Sequence, residues 1–358
     1  MRLHTINDYQ TTARYNFLLT VEGERLFAYV DAAGIATIGI GINLRVHGRL
    51  ILQTLGFDLG GTVLTDAALA AEQGYIDQLL TAISQPFSSN NTPSNQALAT
   101  FNTILQQRAS DTVYPSTFTR TTQFELVSTE VSRQILNQVL DGYAVPGKNF
   151  SGYESVLDTW LTRTGVSVRQ PDLMSRGSPE RLALLSLAFN SRVHENDQPG
   201  TPWNDAGLPT LLGPKLANAL LNDDRAEAWY EIRYNSGVDA RRFLEADTFG
   251  LYDSGPLGEA DYKAAYRMLT RHRTKIFGAD GIAGTSDDYE QVNLARLNTA
   301  IAWGNSLIIA VKNINAHLAQ AQADTAQQPT LSAGRLLVVE NLDLNHDWPP
   351  AATRFRST

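Results

Sequence analysis

The sequence predicts an α+β protein that is mostly α. Three observations carry this. Most of the 358-residue chain falls into stretches whose apolar positions recur at helical spacing. One short region, Phe27 to Ile42, instead gathers β-leaning residues around glycines and reads as a hairpin. The composition, 43% hydrophobic and 18% charged, is that of a chain that buries a core, and the length leaves room for two or three packed units.

The elements follow in order. Residues 13–26, ARYNFLLTVEGERL, carry Phe17, Leu18, Val21 and Leu26 at near-helical spacing and predict an amphipathic helix. FAYVD, then AAG, then IATIGIGI predict a strand, a turn and a second strand. Residues 65–84 and 96–108 read as helices, with a loop by composition over 86–96. Residues 110–125 are polar, rich in Thr and without period. STEVSRQILNQVLDGY opens on a capping signature at Ser128 or Thr129. SPERLALLSLAFNSR, Ser178 to Arg192, has Pro and Glu at its start and is apolar nearly all round, so it predicts a buried central helix. Further helices are expected from Gly213 to Tyr234, from Ser236 to Asp253, and twice beyond Gly255, with a strand over RLLVVENLDL near the end.

The bulk numbers exclude several functions. The net charge of −8 argues against broad nucleic-acid binding, which needs a basic footprint. There is no cysteine, so disulfides, thiolate metal sites and a Cys nucleophile are ruled out. No apolar run has the length of a membrane span, and the N-terminal residues show no signal-peptide core. No H-E-x-x-H, G-x-S-x-G or Walker loop is present, and GIGIN lacks the third glycine of a dinucleotide fingerprint.

What remains is a pair of carboxylates. Glu22 is expected near the end of the first helix, Asp31 at the end of the first strand and Thr37 on the second. Glycoside cleavage needs one carboxylic acid to protonate the leaving oxygen and a second carboxylate across the sugar. A hydroxyl beside the second carboxylate can hold a water, and Gly34, Gly39 and Gly41 permit close backbone approach. Two acids nine residues apart are otherwise ordinary surface groups.

The full run, Glu22-Gly23-x-Arg25-Leu26-x-x-Tyr29-x-Asp31 followed by Gly34 and Thr37-Ile38-Gly39-Ile40-Gly41, resembles the active-site segment of phage-type lysozymes, glycoside hydrolase family 24. That resemblance implies a lysozyme-like two-lobe fold, with a small N-terminal β hairpin lobe and a helical lobe forming the other wall of a cleft. It implies Glu22 as general acid, Asp31 as partner carboxylate and Thr37 as water holder. The implied reaction is inverting hydrolysis of the β-1,4 bond between MurNAc and GlcNAc in peptidoglycan, with no cofactor required. Arg25 would buttress the hairpin. The family often places a histidine after the second glycine; here Ile42-Asn43-Leu44 follow Gly41. Asn43 is then either a hydrogen-bond donor to a saccharide or the cap of the next turn.

Later segments resemble the family more loosely. Ala188-Phe189-Asn190 matches the end of its central helix. Phe189 would face the cleft or pack in the core, and Asn190, a polar residue closing an apolar helix, needs a partner. Asp239-Ala-Arg241-Arg242-x-x-Glu245 is similar to the R-R-x-x-E helix of the family. Arg242 would approach the catalytic glutamate, or form an i, i+3 surface pair with Glu245. The implied organisation is a catalytic lobe over 1–50, an inter-lobe insertion over 51–123, a helical lobe over 124–253 and a C-terminal extension over 254–358. The insertion is read as passive by default, with restriction of the entering polymer or the holding of an immunity protein as the alternative, and the extension is one the catalytic unit does not need.

GADGIAGTSDDYE places Asp280, Asp287 and Asp288 on a Gly-flexed loop. These are hard ligands suited to Ca²⁺, or otherwise a turn followed by a helix start. His272, between Arg271 and Arg273, reads as a basic surface tract. The expected partners are bacterial peptidoglycan and, beyond it, an immunity or inhibitor protein or a secretion-system component. A chain made in the cytoplasm without a signal peptide would reach the wall through a holin, a phage tail, effector delivery or bacteriocin uptake. The competing readings are a lytic transglycosylase on the same scaffold and a non-catalytic wall-binding protein.

Overall fold

The computed structural model describes residues 1–87, 95–191, 209–234, 239–255 and 259–280. Among the described residues the chain is α+β and mostly α, with two small antiparallel sheets. It divides into two compact units: Tyr15–Ser155, and Met1–Arg14 joined to the chain from Val156 on. This division does not follow the expected boundaries at 50/51 and 123/124, because helices from 51–123 share a core with the β sheet.

In the unit Tyr15–Ser155, helix α1 (Arg14–Glu22) stops at Glu22 rather than Leu26. Gly23 takes φ +69°, a left-handed stop, and donates its N–H to Leu19 O at 2.9 Å. Arg25 and Leu26 already belong to β1 (Arg25–Val30). The expected hairpin is a three-stranded meander, continued by β2 (Ala36–Gly39) and β3 (Ile42–Asn43) in the order β1-β2-β3. Two glycines at positive φ, Gly39 and Gly41, turn the chain between β2 and β3. Central strand β2 is buried along its whole length.

Helix α2 (Leu44–Thr54) starts directly from β3, with Asn43 as its N-cap. Helices α3 (Asp66–Ser84) and α4 (Gln96–Ser110) pack on one another, α3 against α2 and α4 against β1. Ile38, Ile51, Ile76, Leu79, Phe101 and Phe124 fill the core. Within it lies a fully buried pair: Arg108 Nε and Nη2 donate to the two Glu72 oxygens at 2.7 and 2.8 Å, and Tyr114 donates to the same carboxylate at 2.8 Å. The Arg108 guanidinium lies 3.8 Å above the Phe57 ring. Helix α5 (Thr129–Asp141) begins as expected, with Ser128 Oγ accepting from Val131 N. A second hairpin absent from the sequence reading, β4 (Tyr143–Val145) and β5 (Lys148–Phe150), turns at Pro146-Gly147.

Helix α6 (Tyr153–Arg163) spans the division. The other unit continues through α7 (Val166–Arg169) and α8 (Pro179–Phe189), then α9 (Pro214–Leu221) and α10 (Arg225–Tyr234). Its described residues continue through α11 (Asp239–Phe249), α12 (Glu259–Arg271) and α13 (Arg273–Phe277). Helix α8 is the buried central helix its sequence predicts, capped by Ser178 and buried from Glu180 to Phe189. It packs on α11, which packs on α10. Buried Glu180 pairs with Arg225 and accepts from His4 N at 3.0 Å, tying the first residues of the chain to this unit. His272 is not an exposed basic tract. Its ring stacks on Tyr230 at 3.5 Å, and Nε2 lies 2.7 Å from Glu227 Oε1.

Among the described residues no helix is long and apolar enough to cross a membrane. The expected strand over RLLVVENLDL and the acids Asp287 and Asp288 lie outside the described residues.

Candidate active site

Glu22, Asp31, Thr37 and Asn43 all sit in the unit Tyr15–Ser155, on the end of α1 and the three-stranded sheet. Glu22 is the last residue of α1 and is half-buried. Its carboxylate rests on the backbone of Gly41: a methyl added there would lie 2.7 Å from Cδ and 2.8 Å from Oε2. Any other residue at Gly41 would push the acid away, and φ +64° disfavours a side chain in any case. The glycine of the motif is therefore a seat for the glutamate as well as a turn.

Asp31 follows β1 and organises the turn to β2. Oδ1 accepts from Ala33 N and Ile35 N, both at 2.8 Å, while the Asp31 backbone N–H donates to Ile35 O at 2.9 Å. Oδ2 accepts no hydrogen bond among the described residues, and the side chain is partly exposed. Oδ1 thus holds the turn.

Thr37 is paired across the sheet with Tyr29 on one side and Asn43 on the other. Directly opposite residues share a face, so Tyr29, Thr37 and Asn43 form one row across the three strands. Thr37 Oγ donates to Ile35 O at 3.1 Å. With its proton committed, the hydroxyl presents lone pairs and is an acceptor toward anything approaching it.

Asn43 resolves its two readings unevenly. Oδ1 caps α2 by accepting from Arg45 N at 2.9 Å, so the cap is real. Nδ2 makes no hydrogen bond among the described residues, which leaves its donors open.

Two phenols feel the charge of the glutamate. Burial raises the Tyr29 pKa most, the Glu22 charge raises it further, and the Arg25 guanidinium, 4.7 Å above the ring, opposes both. Burial and then Glu22 push the Tyr153 phenol up to about 12. Both phenols therefore stay protonated through the neutral range. Tyr29 was detectable in sequence, since it stands two residues before Asp31 in the quoted motif and so on the same strand face. Tyr153 lies more than a hundred residues downstream and left no local signal. Behind Tyr153 the buried ring of His47 packs edge-on against Tyr153, Phe150 and Tyr143, with Nδ1 3.0 Å from the Tyr143 hydroxyl. Burial, then Lys148, lower the His47 pKa to about 3, so it is neutral.

The remaining expected site residues lie in the other unit. Phe189 is buried at the end of α8. Asn190 is the C-cap of that helix, with its N–H donating to Ser186 O at 3.0 Å, and its side chain is half-exposed. The Arg242–Glu245 pair exists but is not a surface pair. Both residues are buried, and Glu245 Oε1 also accepts from Ser186 Oγ at 2.6 Å and Arg241 Nε at 2.9 Å. A carboxylate between two arginines, under a helix that buries almost every side chain, is a packed α8–α11 joint. Asp280 is described, but among the described residues no group of His, Asp or Glu is arranged to hold a metal.

Two clefts of about 280 and 360 Å³ lie in the unit Tyr15–Ser155, meeting at Gln53 near the end of α2, and neither is lined by Glu22, Asp31 or Thr37. No protein-family model, no curated protein and no solved structure matches this chain.

Proposed function

We propose that this chain is a peptidoglycan muramidase of the phage-type lysozyme kind, hydrolysing the MurNAc–GlcNAc β-1,4 bond with inversion on a two-lobe lysozyme-like fold. One observation carries the reading: Glu22 is seated on Gly41 at a helix end, in the same unit as a turn aspartate that keeps one carboxylate oxygen unbonded among the described residues. Glu22 protonates the leaving oxygen. Asp31 Oδ2 takes the proton of the attacking water, and Thr37, whose hydroxyl can only accept from its surroundings, orients that water. Tyr29 and Tyr153 are neutral donors that steady the Glu22 carboxylate once its proton has left. Asn43 Nδ2 donates to a sugar group.

On this reading the substrate lies in the periplasm or wall, reached by release or delivery. An immunity protein or a secretion component would be the partner, and a Ca²⁺ at Asp280, Asp287 and Asp288 would be structural. The presence of both Asp31 and Thr37 favours hydrolysis over transglycosylation, which needs no water. The test is peptidoglycan digestion by the wild type and Glu22→Gln side by side, with mass spectrometry of the muropeptides. Reducing ends from the wild type alone support the proposal. Anhydro ends assign a transglycosylase, and identical inactivity of both proteins assigns a wall-binding protein.

A further inference from the structure

Strand β1 delivers Asp31, and its outer edge is completed piecemeal. Leu126 N donates to Leu26 O at 2.8 Å, and Ala28 N donates to Phe124 O at 3.3 Å, so residues 124–126 run beside the first half of the strand as an isolated bridge at Phe27 and Glu125. That ladder ends before Ala28 O. Ala28 is fully buried, and a buried carbonyl requires a donor. The donor is a side chain: Asn95 Nδ2 reaches Ala28 O at 2.6 Å, in place of the Phe124 N–H, which donates to Asn102 Oδ1 at 2.7 Å instead. Asn95 is itself fixed, because its Oδ1 caps α4 by accepting from Leu98 N at 3.2 Å. A second tie grips the turn. Phe87 N donates to Gly34 O at 3.0 Å, and the Phe87 carbonyl oxygen sits 2.6 Å from where a Gly34 methyl would stand. The Phe87 ring packs edge-on against Phe101 of α4, and Phe101 against Phe124. Both ties therefore lead back to the same helix.

We infer that Asn95 is a positioning residue for Asp31: it finishes the β1 edge and, with the Phe87 amide, sets the turn whose amides hold the Asp31 carboxylate. The inference rests on the proposed hydrolase reading for its catalytic consequence, but its geometry stands apart from it. The region between 51 and 123 is then part of the catalytic apparatus. No group of it needs to touch substrate; it acts by holding the hairpin.

The test compares the full-length wild type with Asn95→Ser, which keeps an oxygen to cap α4 and loses the reach to Ala28 O. Measurements are made at a temperature where circular dichroism shows both proteins fully folded. Two quantities are read: kcat and KM on peptidoglycan, and amide hydrogen exchange at Ala33 and Ile35, whose N–H groups bind Asp31. The expected result is a kcat lower by about tenfold with KM unchanged, since misplacing a reacting group costs rate rather than ground-state binding. Exchange at both amides is expected to be about tenfold faster, as a loosened turn opens more often. Unchanged exchange overturns the inference whatever kcat does, and so does unchanged kcat in an active enzyme. If wild type and Glu22→Gln are equally inactive, the hydrolase reading fails separately, and the exchange rates alone decide whether Asn95 holds the turn.

Discussion

Asp31 and Asp58 are the same residue type in the same kind of place, yet they are used differently. Both open a loop in the unit Tyr15–Ser155 and both accept backbone amides. Asp58 spends both oxygens: Oδ1 on Thr62 N at 2.8 Å and Thr62 Oγ at 3.1 Å, Oδ2 on Val63 N at 2.8 Å and Leu64 N at 2.7 Å. Burial pushes its pKa up, but these donors outweigh burial and hold it at about 2. Among the described residues Asp31 spends only Oδ1. A saturated carboxylate is a structural device, and one with an open oxygen can still take a proton. Hydrogen-bond accounting therefore separates the two where residue type and loop position do not.

The largest effect that would break this comparison lies at the acids themselves. Glu22→Gln is expected to lose about 10²–10⁴-fold in turnover. Asp31→Asn should lose hydrolysis on a similar scale with little change in melting temperature, because an amide oxygen can still accept from Ala33 and Ile35. A Gly41→Ala change should lower turnover by about tenfold to a hundredfold, since the new methyl displaces Glu22; its KM should hold near wild type. At the other aspartate, Asp58→Asn should cost about 2 kcal/mol of stability in denaturant titration, as an amide group meets donors that an oxygen had satisfied. Its turnover per folded molecule should not move.

Acid should sharpen the difference between structural groups. Relative to 6.5, the folded His47 pKa is lowered to about 3, so its neutral form is favoured by folding. The stability this contributes is complete above pH 6.5 and declines as pH falls towards 3. Asp58 is likewise lowered, from 3.8 to about 2, and its contribution declines only between those values. Thermal unfolding of the unit Tyr15–Ser155 should therefore soften in two windows, and His47→Phe should remove the upper one. The smallest effect belongs to Asn43. Asn43→Ala should cost about 1 kcal/mol through the lost cap, and Asn43→Ser should restore it. A raised KM in both variants would assign the Nδ2 donor to the saccharide, and an unchanged KM would leave Asn43 as a cap alone.

Sequence by itself determined the elements that depend on near neighbours. The Ser128 and Ser178 caps, the buried face of α8 and the β-leaning glycine run were legible because capping and periodicity act within a few residues. The spacing of Glu22, Asp31 and Thr37 was legible for the same reason. Local signals misjudged the end of α1, where Gly23 stops a helix whose apolar period runs on, and missed β3, β4 and β5, which are only two or three residues long. Tertiary structure alone decided what each side chain meets. The seat of Glu22 on Gly41, the field of that acid on Tyr153, the bond of Ser186 to buried Glu245 and the completion of β1 by Asn95 all join residues far apart in the chain. Buried polar groups must find partners wherever packing brings them, and packing is set by the whole core rather than by any stretch of sequence.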